Sequence, residues 1–174
     1  MANNMDRYPV TQKYLMTRGQ ALNFPASYFK MKLKRNDVYG MVIDIPMTQQ
    51  VLASMVCFIN GAANLYFNNG GEYSGAAQKY RNLVQAAHTL VANANQLLPK
   101  AEKVKAFDLP SGRTHYVYLL TTGGIYKTVI EPGLIPETET EMRTIYVLYQ
   151  RVLNELRQCQ LKDDAEQRKQ QLGK

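Results

Sequence analysis

MVCFINGAANLYFNNGGEYSGAAQ, residues 55–78, places two apolar runs on either side of Asn60-Gly61 and then continues into a glycine-containing loop. Asn-Gly between apolar runs indicates a β-hairpin, because a type I′ turn needs positive φ at both central residues. Ser74 follows the loop and carries the kind of hydroxyl that caps helix N-termini. This stretch therefore predicts two antiparallel strands followed directly by a helix.

The segments around this hairpin add strands to the same sheet. Residues 38–45 are rich in β-branched side chains and predict a strand that ends before a proline. Strict alternation of apolar residues with lysines over residues 28–35 predicts an edge strand, whose charged face would discourage pairing with another chain. Residues 114–130 predict a second hairpin with a Gly-Gly turn, and residues 103–109 a short strand before it.

A helix follows each hairpin. Apolar residues recur at intervals of three and four between about residues 75 and 98, and Pro99 ends the pattern. A second helix is predicted over residues 139–159. Its N-terminus has the spacing of a capping box, in which the Thr138 hydroxyl and the Glu141 carboxylate each accept a backbone N–H.

The predicted order of elements is β-ββ-α-ββ-α. Short hairpins join antiparallel neighbours, and each helix must cover the sheet to bury its apolar stripe. We expect an α+β fold with a single antiparallel sheet of about five or six strands and two main helices. The predicted organisation is a basic, partly flexible N-terminal arm over residues 1–27, one domain over residues 28–160 and a polar tail over residues 161–174.

This element order is similar to that of profilin-like and roadblock-type domains. Residues 42–45 (VIDI), 65–71 (LYFNNGG) and 118–126 (YLLTTGGIY) also resemble a group of bacterial proteins of unknown function, over about residues 38–130. That resemblance implies a fold and brings no activity with it. The family-like pattern has a longer glycine run, which residues 72–74 interrupt here, so it lends little support to a phosphate-binding loop.

Positive charge is concentrated at the start of the chain. The formal net charge is +7; residues 1–36 hold seven basic residues and one acidic residue, and the remainder holds 14 basic and 13 acidic residues. A local excess of cations favours an acidic partner. Lys30, Lys32, Lys34 and Arg35 are the candidate contacts, either for an acidic protein or for the phosphates of a nucleic acid.

The loop after the first hairpin is the candidate ligand site, because backbone N–H groups at a helix N-terminus bind anions. The residues concerned are Asn68, Asn69, Gly70, Gly71 and Ser74. The loop has neither a P-loop nor a dinucleotide-binding motif, and Glu72 would repel a phosphate. The glycines equally suit a turn and Ser74 a helix cap, and this structural interpretation is favoured.

No motif predicts catalysis. Asp44 is the one acid in an apolar strand, and we interpret it as bonded to backbone or solvent near a strand end rather than as a catalytic base. Cys57, His115 and Asp44 would form a nucleophilic triad only if folding brought them together, and no nucleophile motif supports this. Two cysteines and two histidines without metal-ligand spacing predict no metal site, and no cofactor is expected.

The sequence predicts a non-enzymatic interaction or assembly module that binds a protein partner or self-associates as a homo-oligomer. One alternative is a nucleic-acid accessory protein that uses the basic arm. Another is a small-molecule or nucleotide-binding enzyme that uses Gly70-Gly71. No apolar stretch reaches the ~20 residues of a membrane span, and no secretory signal opens the chain. We therefore expect a cytoplasmic bacterial protein without membrane association.

Overall fold

The structure, a computed structural model, describes residues 8–173, so residues 1–7 of the predicted arm and residue 174 lie outside the described part. Its centre is one antiparallel sheet in the order β4-β3-β2-β1-β6-β7-β5. The strands are β1 (Val38–Pro46), β2 (Leu52–Phe58), β3 (Ala63–Phe67), β4 (Glu72–Tyr73), β5 (Glu102–Val104), β6 (His115–Thr121) and β7 (Gly124–Ile130). The helices found in residues 8–173 are α1 (Gln12–Leu22), α2 (Arg81–Asn93) and α3 (Thr140–Leu172). The predicted α+β class is confirmed; the sheet has seven strands because the short strands β4 and β5 form its two edges.

The β2–β3 hairpin forms where it was predicted, but its turn is of a different type. Gly61 has φ of 90° and Asn60 does not have positive φ, whereas a type I′ turn needs both. The Gly61 N–H donates to the Phe58 carbonyl at 2.9 Å, and the Phe58 N–H donates to the Ala62 carbonyl at 3.0 Å. This is a type I turn followed by a left-handed residue. A Cβ at position 61 would lie 2.4 Å from Val84 Cγ1 on α2, so glycine also permits close helix packing.

The helices α2 and α3 cover one face of the sheet. Their inward side chains meet those of the central strands in a hydrophobic cluster, because most of the sheet's alternate residues on this face are aliphatic. The buried helix residues are Leu83, Ala86, Ala87, Leu90 and Val91 from α2, and Ile145, Tyr149, Val152, Leu156 and Cys159 from α3. The three-and-four periodicity of the sequence therefore identifies the buried face of both helices.

The start of α2 differs from the prediction. Ser74 does not cap a helix, since residues 72–73 form β4, residues 76–78 form a single 3₁₀ turn, and α2 begins at Arg81. Gly75 lies between them with φ of 80°, and its N–H donates to the Asn64 side chain at 3.0 Å. Because the segment first pairs with β3, it must turn before it can enter the helix.

The start and end of α3 differ as well. The capping box is wrong, because the helix begins one residue late and Glu139 occupies the N-cap position without a side-chain cap bond. The Glu139 carboxylate pairs instead with Lys100, whose Nζ lies 2.6 Å away. The helix does not stop at Cys159 but continues unbroken to Leu172, and it is exposed from residue 164 onward.

The other face of the sheet is covered by α1, by a 3₁₀ helix over Ala26–Phe29 and by irregular segments. The predicted edge strand over residues 28–35 is wrong. Both sides of β1 already pair with β2 and β6, so no open edge lies beside it. Phe29 and Leu33 are half-buried against the sheet, whereas Met31 is exposed. The alternation therefore breaks at Met31, and Lys30 takes a left-handed φ of 50°.

Candidate functional site

A buried ion pair fixes α1 to the sheet. Arg18 is 5% exposed and Asp44 is 0% exposed. The guanidinium donates from Nε to Asp44 Oδ1 at 3.1 Å and from Nη2 to Oδ2 at 2.7 Å. This two-pronged geometry suits a guanidinium and a carboxylate, and it fixes orientation as well as distance. The helix α1 is therefore attached to the central strand β1, close to its C-terminal end.

Hydrogen bonds extend this ion pair into a network. The Ser54 hydroxyl donates to Asp44 Oδ1 at 2.6 Å and lies 2.6 Å from the Tyr14 hydroxyl. Ser54 uses its only hydroxyl hydrogen toward Asp44, so the Tyr14 hydroxyl is the donor to Ser54. Burial raises the pKa of Tyr14, and the carboxylate of Asp44 adds to this effect, so the phenol stays protonated. Arg18 also donates to the Phe107 carbonyl at 2.9 Å. The network joins α1, two strands and the segment before β6, and its polar groups satisfy one another.

Asp44 therefore has a structural role that the sequence interpretation missed. It neither ends a strand in solvent nor faces a cavity. The missed partner is Arg18, the one basic residue on the buried side of α1. The sequence contains a signal for this ion pair, namely one acid in an apolar strand and one base in a helical pattern. The two residues are 26 positions apart, so no local pattern indicates that they pair.

The four predicted cationic contacts lie together on one exposed loop. Lys30, Lys32, Lys34 and Arg35 are exposed, and none of them forms an ion pair within residues 8–173. The loop's backbone is nevertheless attached. The Arg35 carbonyl accepts hydrogen bonds from the Gly123 N–H at 2.8 Å and from the Thr122 hydroxyl at 2.7 Å. A Cβ at Gly123 would lie 3.1 Å from the Arg35 carbonyl oxygen, so this close approach favours glycine.

Two exposed apolar side chains accompany these cations. Tyr28 is 62% exposed and Met31 is 52% exposed. The Tyr28 ring meets Phe24 edge-on at 5.0 Å and Phe29 at 5.3 Å, and Phe29 packs on Phe58 of β2. We call residues 28–35 the basic–aromatic loop. The sequence analysis identified its cations but placed Met31 on the apolar face of an edge strand, a strand that does not form.

The glycine loop is a turn between β3 and β4. Asn68 is buried, and its side chain accepts the Leu52 N–H and donates to the carbonyls of Pro9 and Gln50 at 2.7 and 2.8 Å. Gly70 takes φ of 92° in the turn, and the Asn69 side chain accepts the Gly71 N–H at 2.8 Å. Asn69, Gly71 and Ser74 are exposed. Ligand binding here stays a prediction, but the helix N-terminus on which it depended is absent from this position, since α2 begins at Arg81.

An open cleft of about 960 Å³ lies where β1 ends and β6 begins. Its residues are Tyr8, Pro46, Met47, Thr48, Gln49, Ser111, Gly112, Arg113, His115, Glu131 and Pro132. His115 is the buried member, at 6% exposed, and its Nδ1 lies 2.7 Å from the Tyr149 hydroxyl. Burial lowers the pKa of His115 to about 4, so the imidazole is neutral at neutral pH.

The residues considered for a nucleophilic triad do not converge. Cys57 and His115 contribute to the face covered by α2 and α3, whereas Asp44 points to the α1 face. Burial also raises the pKa of Cys57 to about 12, which keeps the thiol protonated. Within residues 8–173 no three histidine, cysteine or acidic side chains are grouped as metal ligands. Among the helices described, none combines the length and apolar character needed to cross a membrane.

The structure belongs to the class of α+β domains and has one antiparallel sheet covered on both faces. No protein-family model, curated protein or solved structure matches the chain. The basic–aromatic loop and the cleft are the surfaces on which a function can be proposed.

Proposed function

We propose that this protein is a non-enzymatic interaction module that binds an acidic protein partner through the basic–aromatic loop. The observation that carries the proposal is the grouping, on residues 28–35, of two exposed apolar side chains with four exposed cations that form no ion pair with any residue from 8 to 173. Like charges held close together repel, and carboxylates of a partner would relieve that repulsion and speed association.

The apolar side chains favour a protein as the partner. Tyr, Met and Arg are enriched at protein interfaces, where an apolar contact is combined with a polar rim. Tyr28 and Met31 supply such apolar area, and Arg35 can form two parallel hydrogen bonds with a carboxylate.

The loop is also prepared for binding by its own attachments. Its backbone is bonded to the β6–β7 turn at Arg35, and its first residues pack on the sheet through Phe29. Ordering a flexible segment on binding costs free energy, and a loop that is already attached avoids part of that cost.

Nucleic acid is the second candidate, and the exposed Tyr28 ring is the observation that favours it. An exposed aromatic ring beside cations can stack a base of single-stranded nucleic acid. Four phosphate contacts would make the logarithm of the binding constant fall with the logarithm of salt concentration with a slope of about −3 for a single strand. Self-association remains part of the proposal and is tested separately by light scattering across protein concentrations.

Fluorescence anisotropy with labelled poly-glutamate and a labelled single-stranded oligonucleotide tests the proposal. The variant replaces Lys30, Lys32, Lys34 and Arg35 with Gln. The matched control makes the same change in charge at exposed bases elsewhere, namely Lys105, Arg157, Arg168 and Lys169. We expect poly-glutamate affinity to fall at least about tenfold (~1.4 kcal/mol) in the loop variant and much less in the control.

Two results would overturn the acidic-protein proposal. One is an equal loss of affinity in the control variant, which would show that overall charge alone drives binding. The other is tight oligonucleotide binding with little affinity for poly-glutamate. In that case, a loss on Tyr28→Ala would identify the loop as a nucleic-acid contact instead.

A further inference from the structure

The cleft beside His115 is separate from the basic–aromatic loop and has features of a small-molecule site. Its volume of about 960 Å³ lies at the upper end of the range that such sites occupy, roughly 300–1,000 Å³. It is built from four parts of the chain: the N-terminal segment, the end of β1, the segment leading into β6 and the end of β7. A cavity formed by distant segments of the chain keeps a fixed shape when hydrogen bonds join those segments.

One such tie is a hydrogen bond across the cleft wall. The Tyr8 hydroxyl donates to the Gly112 carbonyl at 3.1 Å, across 104 positions of sequence. Gly112 directly precedes Arg113, so the bond braces the segment that carries this cation. Opposite, the Glu131 carbonyl accepts the Leu134 N–H at 3.1 Å in the turn that follows β7.

The buried end of the cleft presents a neutral polar atom. His115 is more than nine-tenths buried, and Nδ1 is engaged by the Tyr149 hydroxyl. Nε2 forms no hydrogen bond with any residue from 8 to 173, which leaves it for a molecule in the cleft. Burial raises the pKa of Tyr149, so its hydroxyl stays protonated and can either donate to Nδ1 or accept from it. Nε2 then has the complementary role toward a molecule in the cleft, as a donor in the first case and an acceptor in the second.

The rim of the cleft carries two opposite charges that do not pair with each other. Arg113 and Glu131 are both exposed, and no ion pair joins either of them to another residue within the described chain. Among residues 8–173, the lining of the cleft has one cation and one anion, and its other groups are neutral. A ligand with a single charge is attracted by one of these two groups and repelled by the other, whereas a ligand with both charges can be attracted by both.

We infer that this cleft binds a small zwitterion, a free amino acid or dipeptide. Arg113 receives the ligand carboxylate, since guanidinium and carboxylate form paired hydrogen bonds. Glu131 receives the ammonium group. His115 Nε2 and the hydroxyls of Ser111 and Thr48 bind the remaining polar atoms.

Isothermal titration calorimetry with the standard amino acids and a set of dipeptides tests the inference. Each ligand is compared with its N-acetyl form, which lacks the ammonium, and its amide form, which lacks the carboxylate. We expect binding of at least one zwitterion, at least about tenfold weaker binding of both blocked forms, and a similar loss in Arg113→Gln and in Glu131→Gln. Arg157→Gln and Glu137→Gln, which change exposed residues outside the cleft, should bind as the unmodified protein does.

Absence of heat for every zwitterion up to millimolar concentration would overturn the inference, as would blocked forms that bind as well as the free ones. Arg113 and Glu131 are exposed, so their variants should keep the melting temperature of the unmodified protein. Affinity that survives in both variants would place the ligand elsewhere.

Discussion

One face of the sheet is covered by the long helices α2 and α3, and the other by the short helix α1 together with irregular segments. The first face is mostly aliphatic, and the bond between His115 Nδ1 and the Tyr149 hydroxyl is a polar contact within it. The second face contains a buried ion pair between Arg18 and Asp44. The long helices are therefore placed mainly by many apolar contacts, whereas the short helix α1 depends more on a few oriented polar contacts.

The contacts on the two faces differ in how strongly their interaction energy depends on direction. Apolar contacts have no preferred direction, so many side chains share the stabilisation of α2 and α3. The bonds between Arg18 and Asp44 are directional, and both groups lose water when buried. The position of α1 is therefore specific, and the structure is vulnerable if one partner is removed.

The largest expected effect is the loss of one member of that ion pair. Arg18→Leu leaves the Asp44 carboxylate buried without its cation, and such changes cost about 3–5 kcal/mol of unfolding free energy. Urea unfolding followed by circular dichroism measures it. The double variant Arg18→Leu/Asp44→Leu removes both charges and should be more stable than the single variant Arg18→Leu. A single variant within about 1 kcal/mol of the unmodified protein would contradict the structural role of the pair.

A truncation on the helix face should have a comparable or slightly smaller effect. Leu90 of α2 is fully buried, so Leu90→Ala leaves a cavity and costs about 2–4 kcal/mol. Hydrogen exchange separates the two faces. If they are covered independently, exchange should quicken in α2 and α3 more than in α1. Equal acceleration in all three helices would show that the two faces unfold as one unit.

Acid should weaken the helix face through His115. Its pKa is lowered to about 4 from an ordinary 6.5, so the unfolded chain binds a proton between these values and the folded protein does not. The stabilisation is complete above pH 6.5 and is lost as the pH falls toward 4. We expect a loss of about 2 kcal/mol between pH 7.5 and pH 5.

The variant His115→Gln removes the titrating group and is the control. Its unfolding free energy should change less over the same pH range than that of the unmodified protein. Identical pH dependence in both proteins would assign the effect to another group.

The smallest expected effect is at the far end of α3. Asp163 accepts hydrogen bonds from the Tyr73 hydroxyl at 2.7 Å, the Tyr80 hydroxyl and Lys79, and these donors lower its pKa to about 2. Asp163→Asn should cost about 1 kcal/mol or less in global stability. It should raise the rate of hydrogen exchange after residue 163, because the exposed end of the helix loses the three bonds at Asp163 and retains the Lys79–Glu166 ion pair. Asp164→Asn, a neighbouring exposed position, is the control. Unchanged exchange in Asp163→Asn would show that the helix end holds without this cluster.

Local patterns predicted much of the fold. The hairpin at Asn60-Gly61 and the buried stripes of α2 and α3 follow from turn chemistry and from periodicity, which act over a few residues. The mistakes are also local in origin. Residues 28–35 alternate like a strand, yet both sides of the following strand β1 are already paired with β2 and β6. Ser74 resembles a helix cap, yet it directly follows β4, which pairs with β3.

The candidate sites were predicted less completely, because they combine residues that are far apart in the sequence. The sequence indicated Lys30, Lys32, Lys34 and Arg35 as cations of one region, but not that Tyr28 would be exposed beside them. It gave no sign of the cleft, because Tyr8, Thr48, Arg113 and Glu131 come from segments that only the sheet order brings together.

The amino-acid pattern alone predicts the α+β class, the main hairpins and the apolar faces of the long helices. These depend on interactions between near neighbours and on burial, which a linear pattern records. Only the folded chain establishes the docking of α1 through Arg18 and Asp44, the exposed arrangement of the basic–aromatic loop and the cleft at His115. Each depends on directional contacts between residues far apart in the chain, and no local pattern encodes such a distance or angle.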